Sequence, residues 1–180
     1  MSDATSVRAS RSQRDAPQLS APARTHTPRT LGPDVVAVLR AGPRLLSIYT
    51  SSRVDPALRE RVVVAVSRAN ACRQCTRVHE AWALRAGVPA AELERVGAGE
   101  LAAIPAAHRP AVMYVTALAE ARFKTIPDDA QAVADEHLDR GRQRDIAAVA
   151  RLISFANLSV NTAHAAAHRL RARSTIPDPR

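Results

Sequence analysis

Residues 60–79 read ERVVVAVSRANACRQCTRVH, a stretch that holds a carboxylate, a valine-rich run, both cysteines of the chain and a histidine. Cys72 and Cys75 are separated by two residues, and His79 follows four residues after the second cysteine. Positions i, i+3 and i+7 of an α-helix lie within about 60° of one another, so this spacing places the three side chains on one helical face. The valine run at 62–66 has strand propensity, but no further strand-like runs follow it, so we predict a buried helix there.

The shared face has the composition of a thiol reaction site. A thiol is a weak nucleophile until it loses its proton, and an imidazole one turn away can accept that proton. We therefore expect Cys75 to attack, His79 to serve as its base, and Glu60 to orient the imidazole or accept its proton. Cys72 would capture an oxidised Cys75 as a disulfide and exchange with an external dithiol. If Cys72 opens the helix, the helix dipole favours a thiolate as well.

The same spacing has three other interpretations. Covalent haem attachment needs a histidine directly after the second cysteine, where Thr76 stands, so it is excluded. A zinc site would need a fourth ligand, for which His164 and His168 are the candidates, although the spacing is not that of a usual zinc finger. Two buried cysteines that only pack remain the third alternative.

The pattern Glu60-x11-Cys72-x2-Cys75-x3-His79 resembles the active-site signature of the AhpD-like alkylhydroperoxidases, within the carboxymuconolactone decarboxylase family. Upstream, residues 45–59 (LLSIYTSSRVDPALR) resemble the helix and turn that precede the family's catalytic helices. Downstream, residues 153–164 (ISFANLSVNTAH) are similar to its closing helix with paired asparagines, here Asn157 and Asn161. The resemblance covers residues 34–170.

The resemblance implies an all-α helical domain that assembles as a trimer or hexamer and reduces organic hydroperoxides through its two thiols. It implies a lipoyl-type or thioredoxin-like dithiol protein as the external reductant, and we expect neither a bound cofactor nor a metal ion. Asn157 and Asn161 would brace helix packing or a subunit contact. Some peroxidase members carry a histidine just before the second cysteine, whereas this chain has Gln74, so a water-mediated relay through that position is not carried over. The decarboxylase members generally do not rely on a C-x2-C pair, so its presence favours thiol chemistry.

Composition sets limits on the fold and the partners. With 46% hydrophobic and only 3% aromatic residues in 180, the core must be built from alanine, valine, leucine and isoleucine, which suits close helix packing. These helices have few large side chains to cover their apolar stripes, so we expect a homo-oligomer.

The net charge is +9, but much of the surplus arginine lies near the two ends, so a nucleic-acid partner is not expected. No run of about 18 apolar residues and no secretory signal is present, so we expect a cytoplasmic protein without a membrane span.

Domain limits follow from the same composition. Residues 1–30 contain almost no large apolar side chains and are predicted to be a disordered basic tail, residues 31–172 the helical domain, and residues 173–180 a short C-terminal tail.

The positions of proline, aspartate and glycine predict the helix boundaries. We expect helices to begin at Pro33-Asp34, at Pro43, at Asp55-Pro56, at Pro89, before the apolar stripe of 112–119, at Pro127 and near Arg144. The cysteine helix should end at Gly87, and the helix that starts at Pro127 should reach Gly141. Trp82 would either wall the thiol pocket or belong to the core.

Two functions of other classes stay open on the sequence alone. The first is a lactone decarboxylase-like enzyme whose activity would survive loss of both thiols. The second is a non-enzymatic protein whose thiols sense redox state and whose basic tails contact nucleic acid.

Overall fold

Seven α-helices and one short 3-10 helix form the computed structural model, which describes residues 22–51 and 53–174. The helices in chain order are α1 (Pro28–Ser51), α2 (Pro56–Ala69), α3 (Arg73–Arg85), α4 (Ala90–Gly97), α5 (Arg109–Glu120), α6 (Asp128–His137) and α7 (Arg140–Ser174), with the 3-10 helix Leu101–Ala103 between α4 and α5. No strand occurs in the described ranges, which confirms the all-α prediction for this part of the chain. Most of the predicted N-terminal tail and residues 175–180 lie outside those ranges.

Helix α2 is the centre of the packing. It contacts α3, α5 and α7, and Leu58, Val62 and Val66 are fully buried in the main core. Val64 faces the other way and packs in a smaller core with Ala83 of α3. The valines of α2 are thus buried on two sides of the helix, and this tertiary packing outweighs their strand propensity.

The start of α2 follows the predicted signals. Asp55 is the N-cap residue, its carboxylate accepts a hydrogen bond of 2.8 Å from the Leu58 amide, and Pro56 occupies the first helical turn. The predicted starts of α4 at Pro89 and α6 at Pro127 are also confirmed, since each proline is the N-cap residue of its helix. These short-range signals act before any tertiary contact is needed.

The prediction that a new helix begins at Pro43 is wrong, because α1 runs through Pro33 and Pro43 without a break. A glycine precedes each proline, and the missing Cβ relieves the clash that normally bars helical backbone before proline. Pro43 donates no hydrogen bond to the carbonyl of Leu39, but Leu39 is 70% exposed, so water can reach that carbonyl.

The boundary between α6 and α7 also differs from the prediction. Helix α6 ends at His137 instead of Gly141, because Leu138 takes an extended conformation with φ −131° and buries its side chain. Asp139 then accepts a hydrogen bond of 2.9 Å from the Arg142 amide, and α7 begins at Arg140 instead of Arg144. The aspartate therefore caps α7 earlier than the apolar spacing indicated.

Residues 22–27, assigned to the tail from composition, lie against the helices. The Arg24 amide donates to the Asn70 carbonyl at 3.3 Å, and the Arg24 guanidinium donates to the Ala119 carbonyl at 2.9 Å. The His26 amide donates to the Thr162 hydroxyl at 2.9 Å. These bonds join residues far apart in sequence, a kind of contact that composition does not reveal.

Helix α7 is the one helix in the described residues that is long and apolar enough to cross a membrane by length and composition. The core helices of soluble proteins meet the same criterion, and α7 buries Ile146, Val149 and Leu158 against the bundle.

Candidate functional site

The two cysteines lie where the α2–α3 turn enters α3. Cys72 is the N-cap residue of α3, with a non-helical backbone, and Cys75 lies in the first turn of that helix. A disulfide joins them, with their Cα atoms 5.3 Å apart. Cys72 is 1% exposed, whereas Cys75 is half-buried, so Cys75 is the sulfur that an external molecule can reach.

The turn that precedes Cys72 is held in a strained conformation. Ala71 has a φ of +51°, in the left-handed region that normally belongs to glycine. Its amide donates to the Arg68 carbonyl at 2.8 Å, and the Cys72 amide donates to the Ser67 carbonyl at 2.9 Å, so the end of α2 is closed by a Schellman motif. The motif turns the chain sharply and lets α3 pack beside α2.

Glu60 and His79 meet across the α2–α3 contact. The Oε2 atom of Glu60 lies 3.2 Å from Nδ1 of His79. Glu60 is 6% exposed, while the His79 side chain keeps 26% of its surface exposed. With Nδ1 carrying its proton and donating to the carboxylate, Nε2 is the ring atom left to exchange a proton. The structure thus places the carboxylate beside the imidazole, on a helix pair whose second member carries both sulfurs.

Two further residues extend this cluster and were not predicted from the sequence. The Arg59 guanidinium lies 4.8 Å from the ring centroid of Tyr49, and its Nε lies 3.6 Å from Oε1 of Glu60. Burial raises the pKa of the Tyr49 hydroxyl, Arg59 offsets part of that rise, and Glu60 adds to it. The adjacency of Arg59 to Glu60 was visible in the sequence, but Tyr49 comes from α1, and no local signal predicts how α1 packs on α2.

Asn157 and Asn161 brace α7 against the end of α2, as the family resemblance implied. Asn157 is fully buried, and its side-chain Nδ2 donates to the Ser67 hydroxyl at 3.3 Å. Nδ2 of Asn161 donates to the backbone carbonyl of Asn70 at 3.0 Å, and Nδ2 of Asn70 donates to the Ser154 hydroxyl at 3.0 Å. These hydrogen bonds satisfy the buried amide groups, as buried polar groups require. They also attach the segment that leads into Cys72 to α7.

A second ionic group lies on another side of α2. Arg61 forms a bidentate ion pair with Glu92, with N···O distances of 2.6 and 2.7 Å. Nη1 of Arg61 lies 3.1 Å from Nδ1 of His108. Burial lowers the pKa of His108, and the nearby Arg61 charge lowers it further. Since Arg61 and Glu92 are both buried, this group ties α4 and the start of α5 to α2.

The remaining candidates from the sequence are exposed. Trp82 is 56% exposed, so of its two alternatives, a wall of the thiol pocket or a place in the core, the core is excluded. His164 and His168 lie on the exposed side of α7 and line a groove with the first turns of α3. In the part of the chain that the structure describes, no group of three or more His, Cys, Asp and Glu side chains is arranged to hold a metal ion.

Comparison with known proteins identifies one family. Residues 43–121 match the model of the carboxymuconolactone decarboxylase family. The matched range contains α2 to α5 and all four predicted site residues, so the family resemblance seen in the sequence is confirmed over this range. No curated protein and no solved structure matches the chain.

Proposed function

Since residues 43–121 match the model of the carboxymuconolactone decarboxylase family, we propose that this chain is a thiol-dependent peroxidase that reduces organic hydroperoxides through Cys72 and Cys75. The observation that carries the proposal is the 3.2 Å contact between Glu60 of α2 and His79 of α3, the helix that also carries Cys75. A buried carboxylate that holds an imidazole one helical turn from a half-buried sulfur is the arrangement that thiol activation needs.

The first step is attack by Cys75 on the hydroperoxide. His79 accepts the thiol proton at Nε2, and the resulting imidazolium is stabilised by Glu60. The Cys75 thiolate attacks the terminal oxygen, so an S–O bond forms and the O–O bond breaks. The alkoxide that leaves takes the proton from His79 and becomes the alcohol, while Cys75 becomes a sulfenic acid.

The second step restores the disulfide. The Cys72 thiol attacks the sulfenic sulfur, the S–S bond forms, and hydroxide leaves with a proton as water. The Cα separation of 5.3 Å is within the range that a disulfide requires.

An external dithiol then reduces the disulfide, and here the expectation drawn from the sequence is revised. Cys72 was expected to exchange with the reductant, but it is 1% exposed, so we propose that the incoming thiolate attacks Cys75. Cys72 then leaves as a thiolate at the N-terminus of α3, where the helix dipole stabilises it. The second thiol of the reductant releases Cys75, so that the net reaction converts hydroperoxide and dithiol into alcohol, water and the oxidised dithiol.

The proposal is tested by turnover with a small alkyl hydroperoxide, with dihydrolipoamide as the dithiol. One alcohol should appear for each dithiol oxidised, and Cys75→Ser should abolish turnover. Cys72→Ser should permit a single round and trap a sulfenic acid, which a dimedone-type probe and mass spectrometry would detect. Thr76→Ser, next to the reactive sulfur, is the matched control and should turn over at the parent rate. Alcohol formation that is unchanged in Cys75→Ser would contradict the proposal.

The family match also favours one alternative, a lactone decarboxylase-like activity. That chemistry needs neither thiol, so the two functions separate in the Cys72→Ser, Cys75→Ser double variant. Lactone turnover that survives in the double variant, with no peroxide consumption by the parent protein, would favour the alternative.

A further inference from the structure

A groove with a volume of about 700 Å³ lies between the first turns of α3 and the C-terminal half of α7. Arg73 and Arg77 of α3 line one side of it, and His164 and His168 of α7 line the other. The segment of residues 22–27 contributes Ala23 and Thr25 to its edge. The volume is in the range typical of small-molecule sites.

The chemistry of the lining is both basic and apolar. Two arginines and two histidines line the groove, and no aspartate or glutamate is among the lining residues in the part of the chain that the structure describes. Arg77 makes no hydrogen bond or ion pair with any residue in the described ranges, and it is exposed. Ala71, Val78 and Ala165 supply apolar surface between the charges. A molecule that fits this lining has an apolar body and an anionic group, because Arg77 offers the groove a positive charge that no described residue pairs with.

The groove is separate from the thiol face of α3. Successive side chains of an α-helix are rotated by 100° about the helix axis. On α3, the groove-lining side chains at 73, 74, 77 and 78 therefore point on average about 150° away from those at 75 and 79. A ligand in the groove therefore does not contact the face that carries Cys75 and His79. The groove and the Cys75 side chain therefore lie on opposite sides of α3.

We propose that this groove is a binding site for a small organic anion, a carboxylate carried on an apolar chain. The carboxylate lies between Arg77 and the two α7 histidines, and the chain lies on Val78 and the alanines. The site goes beyond the peroxidase function proposed above and does not depend on it, since binding needs neither sulfur nor the Glu60–His79 pair.

The test uses octanoate as the probe and the oxidised full-length protein, followed by calorimetry and by amide chemical shifts in NMR spectra. Octanoate should bind at one site per chain and shift the amides of residues 71–78 and 164–168. Octanol, which has the apolar body without the charge, and inorganic phosphate, which has the charge without the apolar body, should each bind at least tenfold more weakly. Equal affinity for octanol or for phosphate would overturn the proposal.

Variants locate the site. Arg77→Gln and His168→Gln should each weaken octanoate binding at least fivefold, and circular dichroism would verify that each variant is folded. Arg85→Gln removes the same charge from the other end of α3, outside the groove, and should bind octanoate as the parent does. His79→Ala should also bind octanoate with the parent affinity. Failure of the peroxidase proposal would therefore leave the proposal of an anion site intact. Loss of binding in Arg85→Gln equal to that in Arg77→Gln, or no loss in Arg77→Gln and His168→Gln, would contradict it.

Discussion

His79 is the residue on which the proposed chemistry depends most. It lies between a carboxylate that is almost fully buried and a turn of α3 that carries a half-buried sulfur. An isolated thiol with a pKa near 8.5 is only a few per cent ionised at neutral pH, so a nearby base controls how much thiolate is available.

We predict that His79→Ala slows the first oxidation of Cys75 at pH 7 by on the order of 100-fold, the usual contribution of a positioned base. Raising the pH to about 9 should recover part of the rate, because the thiol then ionises unaided. Glu60→Gln should give the same pattern more mildly. Stopped-flow oxidation of the reduced protein across pH 6 to 9 measures both effects, and parent rates for both variants over that range would show that the helix terminus alone activates the thiol.

The sequence predicted the contact between Glu60 and His79 but not the residues that surround it. Helix periodicity placed Cys75 and His79 on one face of α3, and Glu60 was added from the family signature. Arg59 was not assigned a role, although it contacts Glu60 and stacks on Tyr49. That contact depends on how α1 crosses α2, which is a property of tertiary packing.

Helix α3 ends as α2 does, in a Schellman motif, and the pair offers an internal comparison. The motif after α2 places Ala71 at a φ of +51°, whereas the motif after α3 places Gly87 at a φ of +88°. In both, the amide of the following residue bonds back into the last turn, Cys72 to Ser67 and Val88 to Ala83, each at 2.9 Å. Alanine is strained at a position that glycine occupies without cost.

We therefore predict that Ala71→Gly raises the free energy of unfolding by about 1 kcal/mol, while Gly87→Ala lowers it by about 1 kcal/mol. No atom lies within 4 Å of a Cβ built at Gly87, so the loss reflects backbone strain and not a clash. Urea unfolding of the oxidised proteins measures both values. A destabilised Ala71→Gly would contradict the assignment of strain to the turn before Cys72.

The Arg61–Glu92–His108 group gives the fold a predictable response to acid. The pKa of His108 is lowered from 6.5, chiefly by burial, so the folded protein keeps this imidazole neutral where the unfolded chain protonates it. As the pH falls below 6.5, the unfolded state binds the proton first, and the free energy of unfolding decreases. His108→Gln can still accept from Arg61 but does not titrate, so its stability should fall less between about pH 7 and pH 5.

Unfolding measured at the two pH values tests this, with His137→Gln as a control because His137 lies on the exposed side of α6. The control should retain the parent pH dependence. A decrease in His108→Gln as steep as that of the parent would mean that other groups cause the loss of stability in acid.

The helix boundaries that were predicted correctly are set by residues within one turn of the boundary. The boundaries that were predicted wrongly depend on neighbouring residues and on tertiary packing. Asp55-Pro56 begins α2 because capping and a fixed proline φ act within one turn. Pro43 was expected to begin a helix by the same rule, but the preceding glycine and an exposed Leu39 let α1 continue through it. Asp139 was overlooked because its capping role depends on Leu138 turning into the core.

For the whole molecule, the surface of α1 supports the expectation of a homo-oligomer. Leu31, Val35 and Leu39 are spaced four residues apart and exposed, and Leu46 and Tyr49 continue the same side of the helix. Monomers rarely expose such a continuous apolar stripe, and a second copy of the chain would cover it.

We predict an oligomer at micromolar concentration, a trimer or hexamer if it follows the family. Leu39→Glu, in the middle of the stripe, should shift the protein toward monomer, because the charge would be buried without a partner. Leu84→Glu places the same charge on an exposed site of α3 and serves as the control. Light scattering coupled to size-exclusion chromatography measures the mass, and a monodisperse parent monomer would count against the prediction.

The central claim, that Cys72 and Cys75 form a peroxide-reducing pair, is tested most directly by counting thiols. The fully reduced protein should titrate two thiols per chain, and one equivalent of an alkyl hydroperoxide should bring the count to zero with one equivalent of alcohol formed. A count that stays at two after the peroxide has been added, with no alcohol released, would contradict the claim.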